Sequence, residues 1–197
     1  MKLAALFSGG KDSTYSIYKA RQMGHDVKCL ITLFPKSPNS HLLHFPSIKL
    51  TKLQSETMNI PHLVTELETD ETNQEMKVLG ILLKKAKQDF QIDGLVHGGI
   101  SSEFQKKRFE NICKENDLNI LTPLWNTNPK EYMNDLIDSG FKFILTSVSS
   151  DGLDETWLGK IITASDLSKL SELSDKYGFN LNFEGGEAET FVVDCPL

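Results

Sequence analysis

The chain has 197 residues, a net charge of −6, and 39% apolar and 24% charged residues. That is enough chain to bury a core, in proportions ordinary for a globular protein. The negative field repels nucleic acid and no Lys/Arg-rich run with interleaved aromatics offsets it, so no nucleic-acid partner is expected.

Cys29, Cys113 and Cys195 lie far apart with no C-x-x-C pair. This argues against a zinc ribbon or disulfide framework and fits a reducing compartment. Each cysteine reads as a small apolar residue. No stretch approaches the ~20 apolar residues of a membrane span, and no basic-then-apolar leader opens the chain. A cytoplasmic location without membrane association is the expectation.

In chain order, residues 3–7 form a short apolar strand, and a helical pattern runs from Asp12 to about Met23, closed by Gly24. Residues 27–34 (VKCLITLF) read as a buried strand ended by a loop with Pro35, Pro38 and Pro46. A helix is predicted over 48–58, a strand over 62–67, and a long amphipathic helix over 70–90, with Met76, Leu79, Leu83 and Ala86 near one face. A strand at 94–97, a helix at 102–115 and the start of a strand at 119–121 follow. Beyond Pro123, Asn128-Pro129 opens a helix by capping residue and preset φ, running to Ser139-Gly140. A strand at 141–148, a helix at 166–177 and a last strand at 190–193 complete the reading.

Repeated βαβ units imply an α/β fold: a doubly wound, Rossmann-like parallel sheet with right-handed crossovers. The expected division is a nucleotide-binding domain at 1–121 and a smaller α/β substrate-side unit at 122–197. In such sheets, ligands bind outside the carboxyl ends of the strands. Gly9-Gly10 and Gly98-Gly99 both fall at those ends.

The stretch Ser8-Gly9-Gly10-Lys11-Asp12-Ser13 sits between the first strand and the first helix. One reading is a tight turn with a Ser or Asp helix cap. The other is a phosphate cradle, in which successive backbone N–H groups and the helix dipole favour an anion. The common triphosphate loop G-x-x-x-x-G-K-[ST] is not met: Asp12 follows Gly10-Lys11, and Ala5 takes the place of the first glycine.

S-G-G-K-D-S at 8–13 resembles the pyrophosphate-binding loop of the PP-loop ATP pyrophosphatases, which cleave ATP to AMP and pyrophosphate and share the HUP-type fold. The resemblance implies that the N–H groups of Gly9 and Gly10 and the hydroxyls of Ser8 and Ser13 hold the leaving pyrophosphate. Lys11 adds charge or is an ordinary solvated lysine. Asp12 repels phosphate unless a cation intervenes, so it reads as a Mg²⁺-associated, catalytic or loop-ordering carboxylate.

Further motifs narrow the resemblance. Ser40 and His44 in NSHLLHFPSI, Gln54 with Ile60-Pro61, and the stretch from Val96 to Trp125 are similar to one family, as are Leu158-Gly159 and EGGEAETFVVDCPL at 184–197. That family is the diphthine–ammonia ligases. The resemblance implies ATP-dependent amidation of the diphthine carboxylate on translation elongation factor 2. An acyl-adenylate forms, pyrophosphate leaves, and ammonia displaces AMP.

Gly98 and Gly99 then let ribose or α-phosphate approach closely, or simply make a tight turn. Ser101, Gln105 and Arg108 face AMP phosphate or substrate carboxylate, with Gln105 and Arg108 sharing a helix face. Arg108 reads equally as a surface salt-bridge partner. Glu187 and Glu189, which point the same way if the chain is extended there, with Glu184, either hold a metal or handle ammonia, or form a solvated acidic turn. His44 contacts substrate or stabilises a pocket loop, and His97 has the same two readings.

The expected substrates and cofactors are ATP with Mg²⁺, ammonia or ammonium, and the diphthine-bearing factor; a homodimer is allowed. Rival readings are another PP-loop AMP-forming ligase, a tRNA-modifying enzyme, and an ATP-holding regulator without catalysis. Family members often continue past the D-x-P segment, whereas this chain stops at Leu197. It also lacks the extra C-terminal modules of longer eukaryotic relatives and so resembles the compact archaeal form.

Overall fold

The apolar runs alternate with amphipathic helices, and each strand finds its neighbour through a helical crossover. The computed structural model describes residues 1–36, 48–68 and 71–197, with backbone alone at 48 and 49. Ser40 and His44 lie outside the described residues. By contacts the chain divides into Met1–Pro123 and Leu124–Leu197.

The first unit contains β1 (Lys2–Leu6), α1 (Lys11–Gln22), β2 (Asp26–Phe34), α2 (Ile48–Thr57) and β3 (His62–Glu66). It continues with α3 (Thr72–Phe90), β4 (Gly94–Val96), α4 (Glu103–Glu115) and β5 (Asn119–Leu121). All five strands are parallel in the order β3-β2-β1-β4-β5. This is the doubly wound order 3-2-1-4-5, and the chain reverses direction across the sheet between β1 and β4.

Ala4 stands in register with Cys29 on one side and Leu95 on the other. Side chains alternate along a strand, so these three share a face with Ile31 and Leu33. On that face they pack against Leu79, Leu83 and Ala86 of α3 and Phe109, Ile112 and Cys113 of α4. The 3.6-residue period read from 79, 83 and 86 is the stripe that meets the sheet. Truncating wholly buried Leu83 to alanine removes contacts worth about 2–5 kcal/mol. The buried cysteines are fillers here: burial pushes the Cys29 and Cys113 thiols up to about 12.

Several boundaries shift from expectation. The strand that begins the chain ends at Leu6 and β4 ends at Val96, so Phe7 and His97 enter the loops that follow. The first helix starts at Lys11, one residue before Asp12, with Gly10 as N-cap. Helix α4 starts after Ser102, whose side chain accepts from the Gln105 N–H.

In the second unit, α5 (Pro129–Asp138) begins where Asn128 caps it, accepting from the Lys130 and Glu131 N–H groups. Next come β6 (Lys142–Val148), a 3₁₀ turn at Glu155–Trp157 and α6 (Ala164–Tyr177). The last element is β7 (Ala188–Asp194), wider than the predicted 190–193 strand and antiparallel to β6. The other edge of β6 is closed by residues 158–162: the Gly159 N–H donates to the Leu145 carbonyl and the Ile162 N–H to the Phe143 carbonyl, each at 3.0 Å. A capping box of Thr163 and Asp166 starts α6 two residues ahead of the sequence expectation. Met133, Leu136, Phe143, Leu145 and Leu170 are fully buried in this unit.

Candidate functional site

At the carboxyl end of β1, residues 8–13 form a self-bonded loop. The Ser13 hydroxyl donates to the Gly10 carbonyl at 3.1 Å and accepts from the Ser8 N–H at 3.2 Å. Ser13 spends its one proton on Gly10, so the Ser8 hydroxyl donates to Ser13 Oγ, 3.1 Å away. The two serine hydroxyls expected to face a ligand thus also tie the loop to itself.

No side chain caps α1; its first helical bond is the Thr14 N–H to the Gly10 carbonyl at 3.1 Å. A Ser- or Asp-capped turn is therefore not what this sequence builds. A helix start without a side-chain cap directs its N–H groups and dipole toward any anion placed there.

Lys11 overturns the solvated-lysine reading. It is 1% exposed, and its ammonium donates to both oxygens of Asp12 at 2.9 Å. A lysine is almost never fully buried unless paired, so Asp12 has a loop-ordering partner beside it. The Asp12 carboxylate remains about a third exposed.

Gly98 answers a packing need. A Cβ there would lie 2.5 Å from the Asp12 carbonyl carbon and 2.7 Å from the Ser13 nitrogen. Its missing side chain admits the backbone of α1, which is a third role beside ligand approach and a tight turn. The Gly99 N–H donates to His97 Nδ1 at 3.1 Å, which places the imidazole proton on Nε2. His97 is buried with its ring 4.9 Å from that of Phe109, and burial pushes its pKa down to about 4. His97 is thus neutral at ordinary pH, and its bond to Gly99 ties down the loop that follows β4.

Ser101, in the loop before α4, is exposed, while Gln105 and Arg108 on the helix are half-buried. Arg108 stacks on the Phe104 ring at 3.5 Å and donates to the Phe104 carbonyl at 3.3 Å. This contact takes the place of the expected salt bridge among the interactions described.

In the second unit, the Glu187 carboxylate turns back on its own loop and accepts from the Asn180 N–H at 2.9 Å. Glu189 lies in β7, exposed and paired with Ser147, and Glu184 is half-buried. The extended alternation expected of 187 and 189 holds only from Ala188 onward, because Gly186 (φ +83°) turns the chain just before the strand. Among the described residues no group of three or more His, Cys, Asp or Glu is gathered for a metal.

The N-terminal domain of diphthamide synthase matches residues 1–120 and its C-terminal domain matches 128–197. The chain belongs to the diphthamide synthase family. A diphthine–ammonia ligase of Mus musculus is 34% identical over all of this chain and 80% of its own length. The Homo sapiens diphthine–ammonia ligase is 33% identical with the same coverage, and that of Schizosaccharomyces pombe is 32% identical over 35% of its length. A solved structure described as a predicted subunit of tRNA methyltransferase from Methanocaldococcus jannaschii is similar at 18% identity and a TM-score of 0.49. It covers 100% of this chain and 98% of that one. At that level the likeness bears on neither substrate nor chemistry.

Three features of this diphthamide synthase family member lay beyond residue-by-residue reading. Gln54 of α2 donates to the Gly9 carbonyl at 3.0 Å across 45 residues of sequence. Thr32 of β2 donates to the Phe7 carbonyl at 2.6 Å, and so accepts from His62 Nε2, also at 2.6 Å. Both prop the loop from behind. Glu75 is a third, wholly buried in the first turn of α3 at the carboxyl edge of the sheet. The helical period 75, 79, 83 marks its inward face, where a carboxylate is the exception.

Proposed function

We propose that this protein is a diphthine–ammonia ligase that amidates the diphthine carboxylate of elongation factor 2 at the expense of ATP. The observation that carries the reading is the loop at 8–13. It opens a helix without a side-chain cap at the carboxyl end of β1 and holds a buried lysine, in a chain matched by the family across both units.

A carboxylate at neutral pH is a poor electrophile, so it must first gain a leaving group. One substrate carboxylate oxygen attacks the α-phosphorus of ATP; the bond from that phosphorus to the α,β-bridging oxygen breaks, and pyrophosphate leaves with the electron pair. Ammonia nitrogen then attacks the acyl carbon, AMP departs with the C–O electron pair, and the nitrogen loses a proton.

The Gly9 and Gly10 region and the start of α1 receive the pyrophosphate charge as it develops. Lys11 contributes a cation that is already desolvated, which strengthens its pull on phosphate. Asp12 fits a Mg²⁺ ion that arrives with the nucleotide. Such ions take one or two carboxylates plus phosphate oxygens, and a carboxylate bonded to Lys11 retains lone pairs on both oxygens. The ion would neutralise phosphate charge beside Asp12. Gln105 and Arg108 are assigned to AMP or the substrate carboxylate, and Glu189, with Glu187 and Glu184, to the ammonia side.

The test is direct. Purified protein with ATP, Mg²⁺, ammonium and diphthine-bearing factor is expected to give AMP, pyrophosphate and the acid-to-amide mass change. Formation of ADP as the main nucleotide product, or no amide despite ATP binding, rejects the assignment.

A further inference from the structure

The Gly9–Gly10 peptide is the least restrained unit of the loop, because neither glycine has a Cβ to bias its rotation. Gly9 has φ +79° and Gly10 φ −77°. In a trans peptide the carbonyl and the following N–H point in opposite directions. A half-turn of this one plane would exchange a donor for an acceptor at the ligand face.

Gln54 Nε2 donates to the Gly9 carbonyl at 3.0 Å and draws that oxygen toward α2. The Gly10 N–H is then directed the other way, to the side of Ser8 Oγ at a long 3.5 Å. Contact with α2 is close on this side: a Cβ on Gly9 would collide with Gln54 Oε1 and lie 3.1 Å from Thr51 Cγ2. Thr51 is wholly buried, so the surface against the glycine is fixed.

We infer that Gln54 is a positioning residue that locks the Gly9–Gly10 peptide with its N–H toward the pyrophosphate and its carbonyl away. This rests on the nucleotide reading of the loop. Without the Gln54 donor, the flipped peptide would point a carbonyl oxygen at an anion, and binding would have to pull it back.

Three forms separate the outcomes: Gln54→Met, of similar shape but without a donor; Gln54→Glu; and Lys52→Ala, an exposed control on the same helix. The measurement is the calorimetric affinity for Mg²⁺-pyrophosphate and Mg²⁺-ATP, from pH 7.5 down to 5, each relative to wild type at the same pH. A neutral hydrogen bond is worth roughly 1 kcal/mol, so Gln54→Met is expected to bind about 3- to 10-fold more weakly at every pH. Gln54→Glu is expected to lose more at pH 7.5, where its carboxylate faces the Gly9 carbonyl, and to recover toward wild type as it protonates and regains a donor. Lys52→Ala is expected to match wild type.

Recovery of the Glu variant at low pH is what a role in bulk packing would not produce. It remains readable even where Gln54→Met folds poorly. Wild-type protein that binds neither ligand overturns the nucleotide reading and this inference with it. Wild-type binding with an unchanged Gln54→Met, or a Gln54→Glu deficit independent of pH, overturns the inference alone.

Discussion

Gly98 lies so close to Asp12 that a single added methyl group would fall 2.5 Å from the Asp12 carbonyl carbon. The carboxyl end of β4 and the first turn of α1 therefore share one van der Waals surface made of backbone. Backbone cannot rotate aside as a side chain can. At Gly99, by contrast, a Cβ would meet side chains: the His97 ring at 2.9 Å and Gln105 Oε1 at 3.8 Å.

It follows that Gly98→Ala is the more damaging of the two substitutions. Overpacking typically costs about 1–3 kcal/mol, and here the displaced group is the helix start that carries the candidate phosphate site. Chemical denaturation should show Gly98→Ala less stable than Gly99→Ala, with weaker ATP binding as well. Equal behaviour of the two variants would remove the packing argument.

Asp12→Asn is expected to lower stability and not only activity. It deprives the buried Lys11 ammonium of the carboxylate 2.9 Å away. A hydrogen bond to a charged group is worth about 1.5–3 kcal/mol, reduced here because the Asp12 side is partly solvated. In the double variant Lys11→Met/Asp12→Asn the charge and its partner leave together, so the loss should be smaller than the sum of the single losses. Strict additivity in a double-mutant cycle would mean that the pair is not coupled.

Ser13→Ala removes a hydroxyl that serves Gly10 and Ser8 at once. Turnover is expected to fall roughly ten- to a hundredfold if the loop grips a charged leaving group, at 1.5–3 kcal/mol for such a bond. The loss should be concentrated in pyrophosphate affinity. Unchanged kinetics in folded protein would reduce the loop to an ordinary turn.

Acid should weaken the first unit through His97. Its folded pKa is about 4, lowered from 6.5 by burial, so between those values the unfolded chain binds more protons than the folded one. Stability is therefore whole above about pH 6.5 and is lost as pH falls toward 4, by about 3 kcal/mol when both pKa values have been passed. His62, also lowered to about 4 by burial, acts in the same direction. Denaturation at pH 7.5 and 4.5 checks this: a His97→Gln variant should have a flatter pH profile than wild type.

The parallel sheet was legible because its signal is local. Apolar runs such as 27–34, spaced by helical patterns, leave few topologies once right-handed crossovers are required. The S-G-G-K-D-S loop was legible for the same reason. Lys11 was not: nothing in the neighbouring sequence distinguishes a buried lysine from a solvated one, since burial arises when the helix start packs onto a distant strand. Gln54 and Gly9 are 45 residues apart, and no period connects them. The Phe7, Thr32 and His62 relay joins the loop after β1 to β2 and β3 in the same way. Glu187 was read from strand alternation, whereas the turn at Gly186 delays the strand to Ala188, one residue too late for it to apply.

That difference separates the two acids in the proposed ammonia step. Glu187 accepts from the Asn180 N–H, and glutamine retains an oxygen able to accept it, so Glu187→Gln should leave the loop intact. Glu187→Ala removes that acceptor and should lower the stability of the second unit by about 0.5–1.5 kcal/mol. Glu189 stands exposed in β7, where water screens the interactions of its charge. If Glu189 attracts ammonium or takes its proton, Glu189→Gln should slow amide formation while pyrophosphate exchange, which reports acyl-adenylate formation, continues near the wild-type rate. Raising ammonium should then restore part of the amide rate if attraction is the defect, and none of it if proton removal is. An equal fall in exchange and amidation would assign Glu189 to the nucleotide or its metal, and an unchanged rate in both would leave it a solvated strand residue.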